Sequence, residues 1–301
     1  MTSDITGEPP TGAIIVGVDA SASSRAAVAW AARDAELRGL PLRLVHVQPP
    51  LVMSSYPVPD FPAGYARAED ERAKQAIEQA YKLAVGASSP DRASQISTEV
   101  HAGPIAPMLV DMSKSATMVV VGCLGESAVT RAVLGSVSSG LVHHAHCPVA
   151  VIHGEVEPSP QAPVLVGVDG SPASERATAI AFDEASRRGV DLVALHAWTD
   201  MGKLEFPKIN WAPIEWRNIK VEEEEVLAER LSGWQTRYPD VTVHRVVVAD
   251  RPAPRMLEHA DSAQLVVVGS HGRGASRMLL GSVGSAIVNS AQIPVIVARR
   301  S

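Results

Sequence analysis

Two stretches of the chain place glycines and a serine at a spacing suited to holding a phosphate. The first reads GCLGESAVTRAVLGSV over 122–137, with nine residues between Gly125 and Gly135. Glycines such as Gly122 let backbone N–H groups approach a ligand, and a helix beginning at Ser136 would add free N–H groups and a positive dipole end. The pattern predicts an anion site. The alternative is a loop that only turns the chain, followed by a serine that caps a helix.

The same pattern recurs as GSHGRGASRMLLGSV over 269–283, which favours a binding role in both places. Here only eight residues separate Gly272 from Gly281, so the second loop is one residue shorter than the first. We expect Gly274 to help this loop close and Arg273 to add a positive charge beside a phosphate. Occupancy of the second site is therefore a separate question from occupancy of the first.

The segment GVDxS occurs twice, each time at the end of an apolar run, and its aspartates are Asp19 and Asp169. Each carboxylate suits an N-cap or Asx turn before the next helix. Each also suits contact with a ribose hydroxyl or with a metal bound to phosphates. Both roles are compatible with one side chain.

Other residues that attract attention give weaker signals. The segment HHAHC over 143–147 does not place its side chains on one helical face, so we expect no metal site and interpret its histidines as partners of carbonyl groups at a helix end. Cys123 has no visible base nearby in the sequence that would activate its thiol, so we expect it to be unreactive. The sequence has no GxxxxGK[ST], HExxH or GxSxG motif, and no GxGxxG after the first strand of either half, so we nominate no catalytic residue.

These candidate residues sit in two copies of one unit. Residues 14–47 match residues 164–197 at a constant offset of 150 residues, and the later segments LGSV and PV-x-V recur in the same order. The sequence therefore predicts a first domain over 1–153, a linker over 154–162 and a second domain over 163–301.

Within each copy, short apolar runs alternate with segments that have helical spacing. That alternation predicts a doubly wound α/β fold with parallel strands and right-handed crossovers. Ligands of such sheets bind beyond the carboxyl ends of the strands, where the strand order reverses. The aspartates and the glycine loops all follow strands and should meet at that edge.

Composition narrows the class of protein further. The chain has 301 residues, 46% of them hydrophobic, and a formal net charge of −6. The acidic balance does not fit a nucleic-acid binder. No apolar run approaches the ~20 residues of a membrane span, and two cysteines cannot build a disulfide framework. We expect a cytoplasmic protein.

Each half resembles the universal stress protein domain, in the subgroup that binds ATP through G-x2-G-x9-G-[ST]. The first half carries all four motif residues, and GVDxS and CPV-x-V-I are further marks of the family. The resemblance implies two tandem, doubly wound, five-stranded parallel sheets of order 3-2-1-4-5, similar to Rossmann-like and adenine nucleotide alpha hydrolase-like folds. ATP would lie between the first and fourth strands.

The resemblance also implies which residues bind the nucleotide in each half. In each half, a glycine and an aspartate at the end of the first strand would line the adenosine side, and a residue at the end of the second strand would contact adenine through its backbone. These residues are Gly17, Asp19 and Val47 in the first half and Gly167, Asp169 and Ala197 in the second. The phosphates, with or without a magnesium ion, would be held by the loop and helix start: Gly122, Gly125, Gly135, Ser136, Val137, and then Gly269, Gly272, Arg273, Gly274, Gly281, Ser282, Val283.

The implied role is that of an ATP-binding regulator in stress or dormancy, acting through conformation or a protein partner. Two alternatives stay open: a slow ATPase or nucleotidyl or phosphoryl transferase, and a scaffold that binds no nucleotide. The last strands of such domains commonly pair across an interface. This implies contact between the halves and a homodimer formed through the C-terminal strands.

Overall fold

The computed structural model describes residues 12–49, 65–124, 134–154, 158–198, 214–271 and 280–299. The long connections after the second strand of each half fall largely outside these ranges. The described strands are β1 Ile14–Gly17, β2 Leu42–Gln48, β3 Ile96–Ala102, β4 Met118–Gly122, β5 Val149–Ile152, β6 Val164–Gly167, β7 Leu192–Ala197, β8 Val243–Val248, β9 Leu265–Gly269 and β10 Val295–Ala298. The described helices are α1 Ala22–Arg38, α2 Tyr65–Gly86, α3 Ile105–Met112, α4 Ser136–His144, α5 Pro172–Arg188, α6 Ile214–Arg237, α7 Pro252–Ala260 and α8 Ser282–Ser290.

The strands form one continuous sheet in the order β3-β2-β1-β4-β5-β10-β9-β6-β7-β8. Each half thus has the order 3-2-1-4-5, with parallel pairing inside the half. The predicted α/β fold and strand order are confirmed. The two sheets join into one because β5 and β10 pair antiparallel, with Ala150 opposite Ile296.

The strands lie at the centre of the molecule and are covered on both faces. Ile14, Ile15 and Val16 are each fully buried, as expected for an apolar run in a parallel sheet. One face packs against α1, α2, α5 and α6, and the other against α3, α4, α7 and α8. Each of the two cores runs across both halves, so the halves share their packing.

Local capping explains where the first helix of each half begins and ends. The Ser21 hydroxyl accepts a hydrogen bond from the backbone N–H of Ser24, and Ser171 does the same at the start of α5. Both helices end at a glycine in the left-handed conformation, Gly39 with φ 66° and Gly189 with φ 64°.

The C-terminal strands of the two halves bind each other within this chain. β5 lies between β4 and β10, and β10 lies between β5 and β9, so both hydrogen-bonding edges of both strands are used. The expected contact between the halves is therefore present. A second chain would have to meet these strands through the covering helices. The homodimer stays a prediction.

A buried ionic network joins the halves on the face covered by α1 and α5. Arg38 contacts Asp34 at 2.8 Å, Asp183 at 3.1 Å, and Glu184. Arg188 contacts Asp34 at 2.9 Å and Glu184 at 2.8 Å. Burial and the charge of Glu184 raise the pKa of Asp34 to about 6. Burial opposes ionisation of Glu184 as well, but the charges of Arg188 and Arg38 outweigh it and lower the pKa of that carboxyl.

Candidate functional site

A cavity of about 820 Å³ opens at the carboxyl ends of β1 and β4, where the strand order of the first half reverses. Its size suits a small organic ligand. Seven residues that the sequence assigns to the first site line it: Gly17, Asp19, Val47, Gly122, Gly135, Ser136, Val137. The eighth, Gly125, lies outside the described residues. The structure thus brings together side chains that are up to 120 positions apart in the chain.

One wall of the cavity is apolar. Val45, Ile105, Leu109 and Val121 contribute to it. A Cβ atom placed on Gly17 would lie 3.1 Å from a methyl of Val121 and 3.3 Å from one of Leu109. The glycine therefore keeps this wall close to the sheet and leaves a surface on which a flat ring can lie.

The opposite end of the cavity is the start of α4. Gly135 is the N-cap of this helix and supplies no side-chain acceptor, in contrast to Ser21 on α1. The first N–H groups of a helix have no intrahelical partner, so those of α4 remain available to an anion. The Ser136 side chain is exposed at the first helical position and does not cap the helix.

The Asp19 side chain takes the structural role that its sequence context suggests. One carboxylate oxygen, Oδ1, accepts a hydrogen bond of 2.9 Å from the backbone N–H of Ser21. The backbone N–H of Asp19 donates to the Ser24 hydroxyl at 3.0 Å. Asp19 therefore forms an Asx turn before α1, and among the described contacts its Oδ2 is left for the cavity.

Gly122 is required by packing between elements as well as by any ligand. A Cβ atom there would lie 2.5 Å from the Ser23 hydroxyl and 2.7 Å from the Ser23 carbonyl carbon. Gly269 has the same relation to α5, where a Cβ would lie 2.9 Å from the Ala173 carbonyl carbon. The sequence interpretation weighed ligand access against a simple turn for these glycines, and it missed that the first helix of each half begins directly against them.

The second half repeats this local geometry. Asp169 accepts from the backbone N–H of Ser171 at 2.8 Å. Gly281 is the N-cap of α8 without a side-chain acceptor, and its N–H donates to Ser270 at 2.9 Å, as Gly135 does to Cys123 at 2.8 Å. The remaining described residues end β6, β7 and β9 or begin α8: Gly167, Ala197, Gly269, Ser282, Val283. The shortened loop with Gly272, Arg273 and Gly274 lies outside the described residues.

The two halves differ at the end of their second strand. Nδ1 of His46 lies 2.8 Å from the backbone carbonyl oxygen of Val18, directly after β1. Nδ1 of His196 lies 2.6 Å from that of Val168, directly after β6. In the second half, Nε2 of His196 also lies 2.9 Å from a carboxylate oxygen of Glu223 on α6. A carboxylate of α6 therefore lies beside the end of β7 in the second half.

The sequence analysis missed the contribution of α2 to the first cavity. Glu69, Arg72, Gln75 and Gln79 of this helix line it. Arg72 brings a positive charge, which is shared with Glu69 in a surface ion pair. The signal was present as polar residues at helical spacing, but nothing in the sequence identified which face of α2 points towards the sheet edge.

The HHAHC segment behaves differently from its sequence interpretation. The end carbonyls of α4 are capped by Arg299, whose guanidinium donates to Ala145 at 3.0 Å and to Val142 at 2.8 Å. His143 instead accepts a hydrogen bond through Nδ1. The expectation that histidines bind these carbonyls is therefore wrong, because an arginine from the end of β10 reaches them. Within the described part of the chain, no group of three potential metal ligands occurs.

Comparison with known proteins finds two regions of the chain that match one family model. The universal stress protein family model matches residues 11–153 and 162–299. The chain is 58% identical over 299 residues to universal stress protein Rv1996 of Mycobacterium tuberculosis, covering 95% of this chain and 94% of that protein. It is 53% identical over 292 residues to universal stress protein Rv2623 of the same organism, covering 96% of each.

A solved structure shares the fold over nearly the whole chain. It is a universal stress protein from Archaeoglobus fulgidus, with a TM-score of 0.67 and 21% sequence identity. The match covers 96% of this chain and 98% of that one. Among the helices that the structure describes, none combines the length and the apolar character needed to cross a membrane.

Proposed function

Because this chain belongs to the universal stress protein family, we propose that it binds ATP and acts as a regulator in stress or dormancy adaptation. The nucleotide would alter the conformation of the chain or its choice of protein partner. A ligand shifts a conformational equilibrium only if it binds two states with different affinities. The nucleotide-free and nucleotide-bound forms are therefore expected to differ measurably.

One observation carries the proposal: a single cavity joins an apolar wall to an uncapped helix start. ATP has matching parts, since its base is flat and largely apolar and its phosphates are anionic. The base would lie towards Leu109 and the phosphates towards Gly135.

In this proposal different residues of the first site contact different parts of the nucleotide. Gly17 and Asp19 face the adenosine, and the backbone of Val47, whose side chain is buried, faces adenine. The Oδ2 atom of Asp19 suits a ribose hydroxyl or a water on a magnesium ion carried by the phosphates. The phosphates would be held by the glycine loop and the helix start: Gly122, Gly125, Gly135, Ser136, Val137.

We extend the proposal to the second half, where the matching backbone positions recur. The loop that is one residue shorter predicts weaker binding there. The proposal treats 1–153 and 163–301 as the two binding domains. We also propose that the protein acts in the cytoplasm and that two copies of the chain form a homodimer.

The first experiment counts the nucleotide that the protein retains. The full chain is purified without added nucleotide and denatured, and the released compound is identified and counted. Two ATP per chain supports both sites, and one ATP supports the first site only. Mostly ADP would favour slow hydrolysis. No release, followed by no binding of added ATP, would refute the proposal.

Matched charge substitutions locate the ligand. Ser136→Asp places a carboxylate at the first position of α4, where an acid stabilises a helix but repels phosphates. We expect it to remove about one ATP per chain, and Ser282→Asp to remove the ATP of the second site. Ser139→Asp adds the same charge to the same helix at a residue outside the cavity lining and should retain wild-type content. Unchanged content in Ser136→Asp would contradict the site assignment.

A further inference from the structure

The starts of α4 and α8 are each held by a side chain from the opposite half. The backbone N–H of Leu134, directly before the α4 N-cap, donates to Oδ1 of Asn289 at 3.3 Å. The backbone N–H of Leu280, directly before the α8 N-cap, donates to Nδ1 of His143 at 3.2 Å. His143 and Asn289 are each the penultimate residue of their own helix. The two contacts are therefore reciprocal.

Each helix start is consequently fixed from two sides. On one side Gly135 and Gly281 donate to carbonyls of their own half. On the other side the preceding leucine donates across to the opposite half. Because the N-cap determines where the first N–H groups of a helix point, the opposite half helps to set their direction.

The two acceptors are well defined chemically. Nδ2 of Asn289 donates to the backbone carbonyl of Ser285 at 2.7 Å, which leaves Oδ1 directed at Leu134. His143 can accept through Nδ1 only while its proton resides on Nε2, since both ring nitrogens of protonated histidine are donors. One contact therefore depends on protonation and the other does not.

We propose that His143 and Asn289 are positioning residues, each of which aligns the phosphate-binding helix start of the opposite half, and that protonation of His143 loosens the second site alone. This inference rests on the proposed nucleotide binding. It means that neither half has a complete site by itself.

The surroundings of His143 favour the accepting form near neutral pH. Burial, the neighbouring His144 and the charge of Arg299 all lower the pKa of His143 below its usual 6.5. α8 has no titratable side chain. α3, which packs against α4, brings Asp111, whose carboxylate binds Lys114 at 2.6 Å. The contact is therefore present at neutral and alkaline pH and is lost as the pH falls through this lowered pKa.

The test reads the two helix starts separately in the intact chain by amide hydrogen exchange, without ligand. At pH 8, His143→Leu should raise the exchange of Leu280 by about five- to tenfold, the loss expected for one hydrogen bond. Leu134 should not change. In the unaltered chain, the protection of Leu280 relative to its intrinsic rate should fall as the pH is lowered stepwise from 8 through the pKa of His143.

Swapping histidine and asparagine between positions 143 and 289 separates the effect of titration from the effect of packing. His143→Asn keeps an acceptor, as Asn289 does in the other half, and should abolish the pH dependence at Leu280. Asn289→His should create it at Leu134. His144→Asn removes the exposed neighbouring histidine and serves as the control, with the pH dependence at Leu280 retained. Unchanged protection in His143→Leu, or persistent pH dependence in His143→Asn, would overturn the inference.

The same samples are then titrated with ATP and magnesium. Protection at the start of α8 should require three- to tenfold more ATP in His143→Leu, and protection at the start of α4 should not. Equal ATP requirements in the variant and the unaltered chain would overturn the positioning role. Absence of ATP binding in every sample would refute the proposed function, and the ligand-free exchange pattern would still report on the contact itself.

Discussion

Replacing Arg38 with methionine tests how strongly the buried ionic network joins the halves. The Arg38 side chain is 8% exposed, and its partners Asp34 and Glu184 are 1% and 0% exposed. Without Arg38, Arg188 is the cation that remains to these two carboxylates among the described ion pairs. Removing one partner of a buried ion pair costs about 3–5 kcal/mol, because the charge that remains is buried without compensation. We expect a loss of that size in the free energy of unfolding at pH 8.

The loss should shrink as the pH falls. The pKa of Asp34, raised to about 6, means that the folded chain takes up a proton here at a pH where the unfolded chain does not. Arg38 is one of the charges that lower this pKa, so its removal raises the pKa further. Each unit of difference corresponds to about 1.4 kcal/mol. At pH 5 the cost of Arg38→Met should therefore be smaller than at pH 8, in proportion to the rise in this pKa.

Urea unfolding followed by circular dichroism at pH 8 and pH 5 measures both quantities. Arg187→Met is the control, since Arg187 contacts Asp183 at 2.9 Å but is 31% exposed. Partly exposed pairs contribute about 1 kcal/mol or less. A cost below 1 kcal/mol for Arg38→Met at pH 8, or a cost that grows towards pH 5, would refute the reasoning.

Two further predictions concern packing and reactivity. Gly122→Ala should lower the unfolding temperature strongly, because the added Cβ would overlap the start of α1. Gly167→Ala should change it little, since the nearest atoms are the flexible end of Met256 at 3.4 Å. Thermal unfolding measures both variants, and equal shifts would contradict the contact argument. Burial raises the pKa of the Cys147 thiol to about 12, so iodoacetamide at pH 8 should label it only after unfolding in urea. Rapid labelling of this thiol in the folded chain, detected by peptide mass, would show that it is accessible.

The repeat and the strand pattern were sufficient to predict the fold within each half. Apolar runs such as IIVGV have one stable location, between two layers of helices, and the crossover rule then limits the strand order. The resemblance to known domains supplied the remaining detail of the order. The continuity of the sheet across the halves came only as an implication of that resemblance. Pairing between β5 and β10 depends on which edges remain open, and periodicity carries no such information.

The candidate site divides in the same way. Residues at or just after the ends of strands, such as Gly122 and Asp19, could be assigned to one edge because parallel strands end together. The contribution of Arg72 could not, because it depends on the rotation of a helix. The roles of His143 and Arg299 depend on contacts between halves that no local pattern encodes.

The antiparallel pairing of β5 with β10 makes the chain a pseudo-symmetric dimer on a single polypeptide. In a dimer of identical subunits, every substitution appears on both sides of the two-fold axis. Here each side is encoded separately, so Asp34 stands opposite Glu184, and His143 opposite Asn289. Covalent linkage thus lets the two helix starts differ: the acceptor is a titratable imidazole at one and an amide at the other.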